Sequence, residues 1–106
     1  MATPLEVRTD RDGDGTTVLT AAGELDLSNI AVFAEAITAA RASMDGASGS
    51  ALRIDLSDVH YLDSGAINVL FDHAQSIELV VNPILVPVLT LSGLADVAAV
   101  SAADPR

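Results

Sequence analysis

Ser64 is the side chain in this sequence whose type and position most directly suggest chemistry. It follows Asp63 at the point where an apolar run, Leu52 to Leu62, is predicted to end as a strand and a helix is predicted to begin. Backbone N–H groups and the helix dipole at a helix N-terminus favour a negative group such as an added phosphate. The sequence therefore predicts that Ser64 is a site of modification, although Asp63 also suits simple helix capping.

A second acidic motif, Gly23-Glu24-Leu25-Asp26, also lies where a predicted strand gives way to a predicted helix. If the two motifs meet in space, Asp26 and Asp63 make the surroundings of Ser64 strongly negative. The pair of motifs therefore indicates a small protein whose state is set at Ser64, and we do not expect it to be an enzyme.

Asp10, Asp12, Asp14 and Gly15 match the opening of an EF-hand calcium loop. Such a loop needs a bidentate carboxylate at its twelfth position, where this chain has Ala21. The flanking segments are strand-like, and turns also favour Asp and Gly. We therefore predict a hairpin turn here and no metal site.

Ser64 with His60 or His73 and an aspartate could compose a hydrolytic triad in principle. The chain lacks a Gly-x-Ser-x-Gly elbow around Ser64. His73 lies nearly three helical turns from Ser64, roughly 13 Å at the rise of an α-helix. Because a nucleophile needs its base within hydrogen-bond reach, this arrangement does not favour a hydrolase.

The composition narrows the remaining function classes. The chain has 106 residues, a formal net charge of −10, only five basic residues and no cysteine. This charge argues against binding to nucleic acid or to an anionic membrane, and it suits a basic protein partner. The lack of cysteine excludes disulfides and thiol chemistry. No Gly-x-x-x-x-Gly-Lys loop is present, so we expect no nucleotide and no other cofactor.

The apolar stretch from Leu79 to Val100 raises the question of a membrane span. Asn82, Pro83, Pro87 and Gly93 are among the residues that interrupt it, and no basic flank follows. The N-terminus lacks the apolar run of a signal peptide. We therefore expect a cytoplasmic protein.

The periodicity of apolar residues predicts an α/β fold built as one domain over residues 1–106. Leu5 to Thr9 and Thr16 to Ala22 read as a β-hairpin. Helical and strand patterns then alternate, which predicts a mixed β-sheet with helices packed mainly on one face. We expect Ser28 or Asn29 to cap the first helix, whose buried stripe comprises Ile30, Phe33, Ile37, Ala40 and Met44.

The rest of the chain predicts further local elements. A Gly/Ser loop runs from Met44 to Ser50, and a turn is expected at Ser57-Asp58. A second helix is predicted from Gly65 to Ala74, with Ile67, Leu70 and Phe71 facing inward. A strand from Ser76 to Val81, a helix within Ile84 to Val97 and a last strand from Val97 to Val100 follow.

These motifs resemble those of the STAS domain of bacterial anti-sigma factor antagonists. The resemblance rests on Gly23 to Asp26, on the run from Ile54 to Ser64, and on the ending Leu89 to Leu94, and it spans about residues 5 to 100. It implies a STAS-like mixed sheet. The chain differs from the family pattern after Ser64, where Gly65-Ala66 replaces a small residue followed by glycine.

The resemblance also implies a function. An unphosphorylated antagonist binds an anti-sigma factor and releases its sigma factor for transcription. The anti-sigma factor is commonly also a serine kinase that phosphorylates the antagonist, and a serine phosphatase reverses the reaction. Carried over, the phosphoacceptor is Ser64. The partner-binding residues are Asp26, Asp63, Ser64, Gly65 and Asn68. The alternative is a STAS subunit of another assembly, such as a lipid-transport ATPase or a stress-signalling complex, that is not phosphorylated.

Overall fold

A computed structural model describes residues 5–13, 15–44 and 51–103. These residues form five strands and three α-helices, with short 3₁₀ segments between them. The strands are β1 (Glu6–Arg11), β2 (Thr17–Leu25), β3 (Leu52–Leu62), β4 (Ile77–Val81) and β5 (Ala99–Ala102), and the α-helices are α1 (Ile30–Ala42), α2 (Ser64–Asp72) and α3 (Val86–Leu91). The 3₁₀ segments are Ala74–Ser76, Pro83–Leu85 and Leu94–Asp96. Asp14 and the predicted loop at 45–50 lie outside the described residues.

The strands form one sheet in the order β1-β2-β3-β4-β5. β1 pairs antiparallel with β2, which confirms the predicted N-terminal hairpin, and the other three pairs are parallel. Connections between parallel strands are right-handed. Because strand order follows chain order, α1, α2 and α3 all cover the same face, as the sequence predicts.

The core lies between this helical layer and the sheet. Alternate residues of β2, β3 and β4 are buried, and the residues between them face the uncovered side. The largest buried side chains are Phe33, Leu19, Leu25, Ile37, Leu52, Ile54, Leu56, Leu70, Leu79, Leu89, Leu94 and Val59. Aliphatic residues fill this space because the chain has only three aromatic residues.

β3 continues through Ser57-Asp58, so the turn predicted there is wrong. From Thr20↔Asp55 to Leu25↔Leu62, β2 advances five residues while β3 advances seven. The two extra residues are absorbed as irregularities of the ladder, and the Asp55 carboxylate accepts hydrogen bonds from the amide and hydroxyl of Ser57. Such bulges bend a strand without ending it. Ser and Asp occur in turns and in bulges alike, so Ser57-Asp58 alone does not distinguish the two.

The buried faces of the helices follow the prediction in part. α1 buries Phe33, Ile37 and Ala40 as expected, while Ile30 and Met44 are only partly buried against the core. α2 buries Ala66, Ile67 and Leu70 and leaves Phe71 37% exposed. Phe71 lies at the edge of the buried stripe and its ring approaches Gly93. The prediction that Phe71 faces inward is therefore wrong.

The last segments follow the predicted order with shifted bounds. Pro87 lies in the first turn of α3, where its missing N–H is not needed. Gly93 has φ of 86°, a left-handed conformation that ends the helix. β5 begins two residues later than predicted, at Ala99.

The described helices also bear on the question of a membrane span. The longest of them, α1, has 13 residues, and none is both long and apolar enough to cross a bilayer.

Leu56→Ala tests the one-sided core. Leu56 is fully buried in β3, so its truncation should reduce the free energy of unfolding by about 2–5 kcal/mol through lost burial and a residual cavity. Val80→Ala, on the partly exposed face of β4, should cost clearly less. Urea unfolding followed by circular dichroism measures both, and equal losses would contradict the assignment of faces.

Candidate functional site

The carboxyl ends of the parallel strands share one edge of the sheet, which we call the carboxyl edge. It comprises Asp26–Asn29 after β2, Asp63–Asn68 after β3 and Asn82–Leu85 after β4. The N-termini of α1 and α2 also lie there, because each helix returns antiparallel to the strand before it. The topology therefore brings both acidic motifs to the same edge.

A direct hydrogen bond joins the two motifs. Leu25 and Leu62 are register partners at the ends of β2 and β3. The amide of Asp63 donates to the carbonyl oxygen of Leu25 over 3.1 Å. Asp26 and Asp63 therefore follow neighbouring strand ends, as the motif pairing requires.

Asp63 caps α2 as the sequence predicts. Its extended backbone places the carboxylate over the first turn, where Oδ1 accepts from the amide of Ala66 over 3.1 Å. The first intrahelical bond runs from the amide of Ile67 to the carbonyl of Asp63. The helical pattern leaves the amides of Ser64 and Gly65 without an intrahelical acceptor. Two N–H groups therefore remain available beside the Ser64 hydroxyl.

Ser64 and Asn68 are exposed on the surface of α2, whereas Asp63 and Gly65 are half-buried. Residues four apart lie on the same helix face, so Ser64 and Asn68 share a surface. The structure thus brings together four of the predicted partner-binding residues on the first turns of one helix, with Asp26 at the neighbouring strand end.

Gly65 has a local structural role that its sequence pattern does not reveal. A Cβ atom there would lie 3.3 Å from Asp63 Oδ1 and 3.7 Å from Leu27 Cδ2. The first distance is tight, so a larger residue would press on the capping carboxylate. The missing side chain therefore leaves room for the Asp63 cap and for Leu27 together.

The loop between β2 and α1 is held by side-chain hydrogen bonds. The carboxylate of Asp26 accepts from the Ser28 hydroxyl over 2.5 Å and from the Ser28 amide over 2.9 Å. These two bonds stabilise the ionised form and lower the pKa of Asp26, with the hydroxyl the larger cause. Asp26 is therefore a fixed negative charge at neutral pH.

The predicted capping of α1 by Ser28 or Asn29 needs correction. Asn29 occupies the N-cap position, but its side chain makes no cap hydrogen bond. Its oxygen accepts from the amide of Asp26 over 3.0 Å and its NH₂ donates to the carbonyl of Glu24 over 2.8 Å. Asn29 therefore fixes the loop instead of the helix, while Ser28 is engaged by Asp26.

Basic residues of the described chain lie away from the carboxyl edge. Arg53, near the start of β3, pairs with Glu78 and Asp12. Arg41 donates to the carbonyl of Ser76, just before β4 begins. Arg8 and Arg11 lie in β1 opposite the first half of β2. The carboxyl edge of the described protein is therefore acidic, with its compensating arginines toward the opposite end.

The two histidines of the hydrolytic triad considered from the sequence lie in different parts of the structure. His60 Nδ1 lies 3.3 Å from Asn82 Nδ2, so this ring faces the end of β4. His73 follows the last residue of α2, at the end opposite Ser64. Among residues 5–13, 15–44 and 51–103, no cluster of three or more His, Asp or Glu side chains could hold a metal ion.

Leu27 is a prominent surface residue that the sequence interpretation missed. It is 80% exposed in the loop after Asp26 and lies against Gly65. Its spacing from Ile30 extends the buried stripe of α1 backward, which suggests a core position. Because α1 begins only at Ile30, the periodicity does not apply to Leu27. The available signal in the sequence was an apolar residue that precedes the first turn of α1 and is therefore free to face solvent.

Asp63→Ala tests the cap. Removing the carboxylate that accepts from the Ala66 amide should lower the free energy of unfolding by about 0.5–2 kcal/mol. Asp63→Asn should retain most stability, since asparagine caps about as well. Chemical denaturation distinguishes them, and an Asp63→Ala protein as stable as Asp63→Asn would contradict the capping role.

The titration of Asp26 tests the loop. Its lowered pKa means that stability from the Ser28 bonds is present above the ordinary aspartate pKa and is lost as pH falls through the lower folded pKa. Ser28→Ala should raise the pKa of Asp26 toward its ordinary value in an NMR titration. Ser43→Ala, at the far end of α1, should leave that pKa unchanged, and a Ser28→Ala protein with the wild-type pKa would argue against the bond.

Comparison with known proteins places this geometry in a family. The sequence profile of the family described as Mlab, STAS domain matches residues 8–101. No curated protein sequence matches significantly.

Solved structures share the fold at low sequence identity. An anti-sigma factor antagonist from Mycobacterium paratuberculosis superposes with a TM-score of 0.77 at 24% identity, over 94% of this chain and 89% of that one. The antagonist SpoIIAA in its unphosphorylated form gives 0.69 at 16% identity, over 93% and 89%. A protein of the DUF3478 family from Shewanella loihica with a SpoIIAA-like fold gives 0.65 at 10% identity, over 100% and 90%. The family match over residues 8–101 covers most of the chain and includes both motifs at the carboxyl edge. This protein therefore belongs to the STAS domain family.

Proposed function

We propose that this protein is an anti-sigma factor antagonist that binds an anti-sigma factor through its carboxyl edge and is switched by phosphorylation of Ser64. The observation that carries the proposal is the exposed Ser64 hydroxyl at the N-terminus of α2, beside the acidic motif that ends β2. Membership of the STAS family and the fold shared with two antagonists support it. The proposed role places the protein in the bacterial cytoplasm.

The geometry around Ser64 suits a phosphate without requiring the protein to refold. The amides of Ser64 and Gly65 are free of intrahelical bonds, and anions are favoured at this end of a helix. The existing cap bond from Ala66 to Asp63 already fixes the first turn. A phosphoserine would therefore change the charge of the surface more than its shape.

The added charge would act on the partner. A phosphoserine carries about −1.5 to −2 charges at neutral pH, and Asp63 and Asp26 are already near. Repulsion of partner carboxylates and the cost of desolvating the phosphate would weaken a docked complex. A coupling of about 1–3 kcal/mol changes affinity some 5- to 150-fold, which suffices for a switch.

The alternative is a STAS subunit of another assembly in which Ser64 contacts a partner but is never modified. Gly65-Ala66 departs from the family pattern, and this departure favours the alternative. The structure accommodates Gly65 beside the Asp63 cap, so this departure leaves the helix start intact.

Binding by Ser64 variants tests the proposal. Wild-type protein and Ser64→Ala used as bait in a lysate of the source bacterium should both recover an anti-sigma factor, identified by mass spectrometry. Ser64→Asp, which adds a negative charge, should bind the purified partner at least about fivefold more weakly at an unchanged melting temperature.

Ser101→Asp is the matched control, since it makes the same change on the exposed edge strand β5. It should bind like wild type. Incubation with the partner and ATP should add one phosphate to Ser64 and none to the Ser64→Ala protein. Recovery of an anti-sigma factor with no modification of Ser64 would favour the non-phosphorylated alternative, and tight binding by Ser64→Asp would contradict the switch.

A further inference from the structure

We propose that Leu27 is the apolar anchor of the carboxyl edge, and that the partner receives it in an apolar pocket rimmed by arginine or lysine side chains. This inference rests on the proposed function and specifies the chemistry of the partner surface. It concerns a residue outside both acidic motifs and outside every predicted site.

Leu27 is presented to solvent in a fixed position. It is 80% exposed, yet its Cδ2 atom lies close above Gly65 on α2. The backbone on either side is held by the hydrogen bonds of Asp26 with Ser28 and of Asn29 with the loop. The backbone at Leu27 therefore loses little conformational freedom on binding, so more of the burial energy of the side chain would appear as affinity.

One further exposed apolar side chain lies at the carboxyl edge. Ile84, after β4, is 61% exposed. Tyr61 is 50% exposed but alternates with the buried Leu62, so it faces the uncovered side of the sheet. An apolar anchor surrounded by charged groups is a common composition of a protein–protein hot spot.

The charge at this edge specifies the rim of the pocket. Asp26 directly precedes Leu27, and the Asp63 carboxylate lies beside Gly65 under Leu27. Within the described residues the arginines lie toward the opposite end of the strands, at Arg53 and Arg41 among others. A partner that buries Leu27 places groups against these carboxylates, and arginine or lysine side chains gain most from that contact.

The same charge argues against a second copy as the occupant. A symmetric dimer through this edge would place Asp26 and Asp63 of one molecule against the same residues of the other. Like charges brought together in an interface oppose association. The acidic edge therefore fits a basic partner and not itself.

The position of Leu27 also links the anchor to Ser64. Leu27 lies over Gly65, the residue directly after Ser64. A phosphate on Ser64 would be placed at the border of the apolar pocket, where it has to be desolvated. Anchor and switch would then act on the same contact surface.

Leu27→Ala should weaken binding of the purified anti-sigma factor about tenfold. Because Leu27 is exposed, the melting temperature of the Leu27→Ala protein should stay at the wild-type value. Kinetics measured by surface plasmon resonance should place the loss in the dissociation rate, with the same factor at low and high salt. Asp26→Asn should instead slow association and reduce the salt dependence.

Leu91→Ala is the matched control, since Leu91 is 87% exposed at the end of α3 away from the carboxyl edge. Leu27→Met should retain binding, and Leu27→Lys should bind more weakly than Leu27→Ala because it faces a basic rim. If wild type binds but the affinity of Leu27→Ala lies within twofold of the affinity of Leu91→Ala, the inference about Leu27 is overturned and the proposed function stands. Failure of the wild-type protein to bind any anti-sigma factor would overturn the proposed function and the inference with it.

Discussion

The parallel pairing of β2 with β3 is the constraint on which the rest of the site depends. The two strands end together at Leu25 and Leu62, and the amide of Asp63 donates to Leu25. This places an acidic loop and a helix N-terminus side by side although they are separated by more than thirty residues in the chain. Between the pairs Thr20↔Asp55 and Leu25↔Leu62, β3 advances seven residues while β2 advances five. The two extra residues of β3 therefore bring Leu62 opposite Leu25.

The sequence predicts the order of elements and the hairpin because these depend on local patterns. Alternation in β2 and helical spacing in α1 each report which face is buried. The Asp63 cap is likewise local, since the accepting carboxylate and the donating amide of Ala66 lie three residues apart. Those parts of the fold and of the site are therefore readable from the chain.

The positions that prediction missed depend on contacts between distant segments. Ser57-Asp58 reads as a turn until the neighbouring strand shows that it is a bulge. Phe71 has the spacing of a core residue, yet α2 turns it toward Gly93. Leu27 has the spacing of the α1 stripe, but the helix starts only after it. In each case an element boundary or a packing angle set by the remainder of the fold decides the outcome.

Hydrogen bonds hold the loops of the carboxyl edge, so a change of charge there would act on binding more than a change of shape. The Asp63 cap, the Asn29 bonds and the Ser28 bonds together hold both loops. In the proposed switch, a phosphate on Ser64 would meet loops that these bonds already hold, and its charge would act directly on a bound partner. The cost would fall mainly on the complex, because the free protein would keep the phosphate hydrated while a bound partner would have to remove that water. Under the proposed function such a surface would separate binding from folding: charge changes at residue 64 would alter affinity, whereas the buried faces of β2, β3 and β4 determine stability.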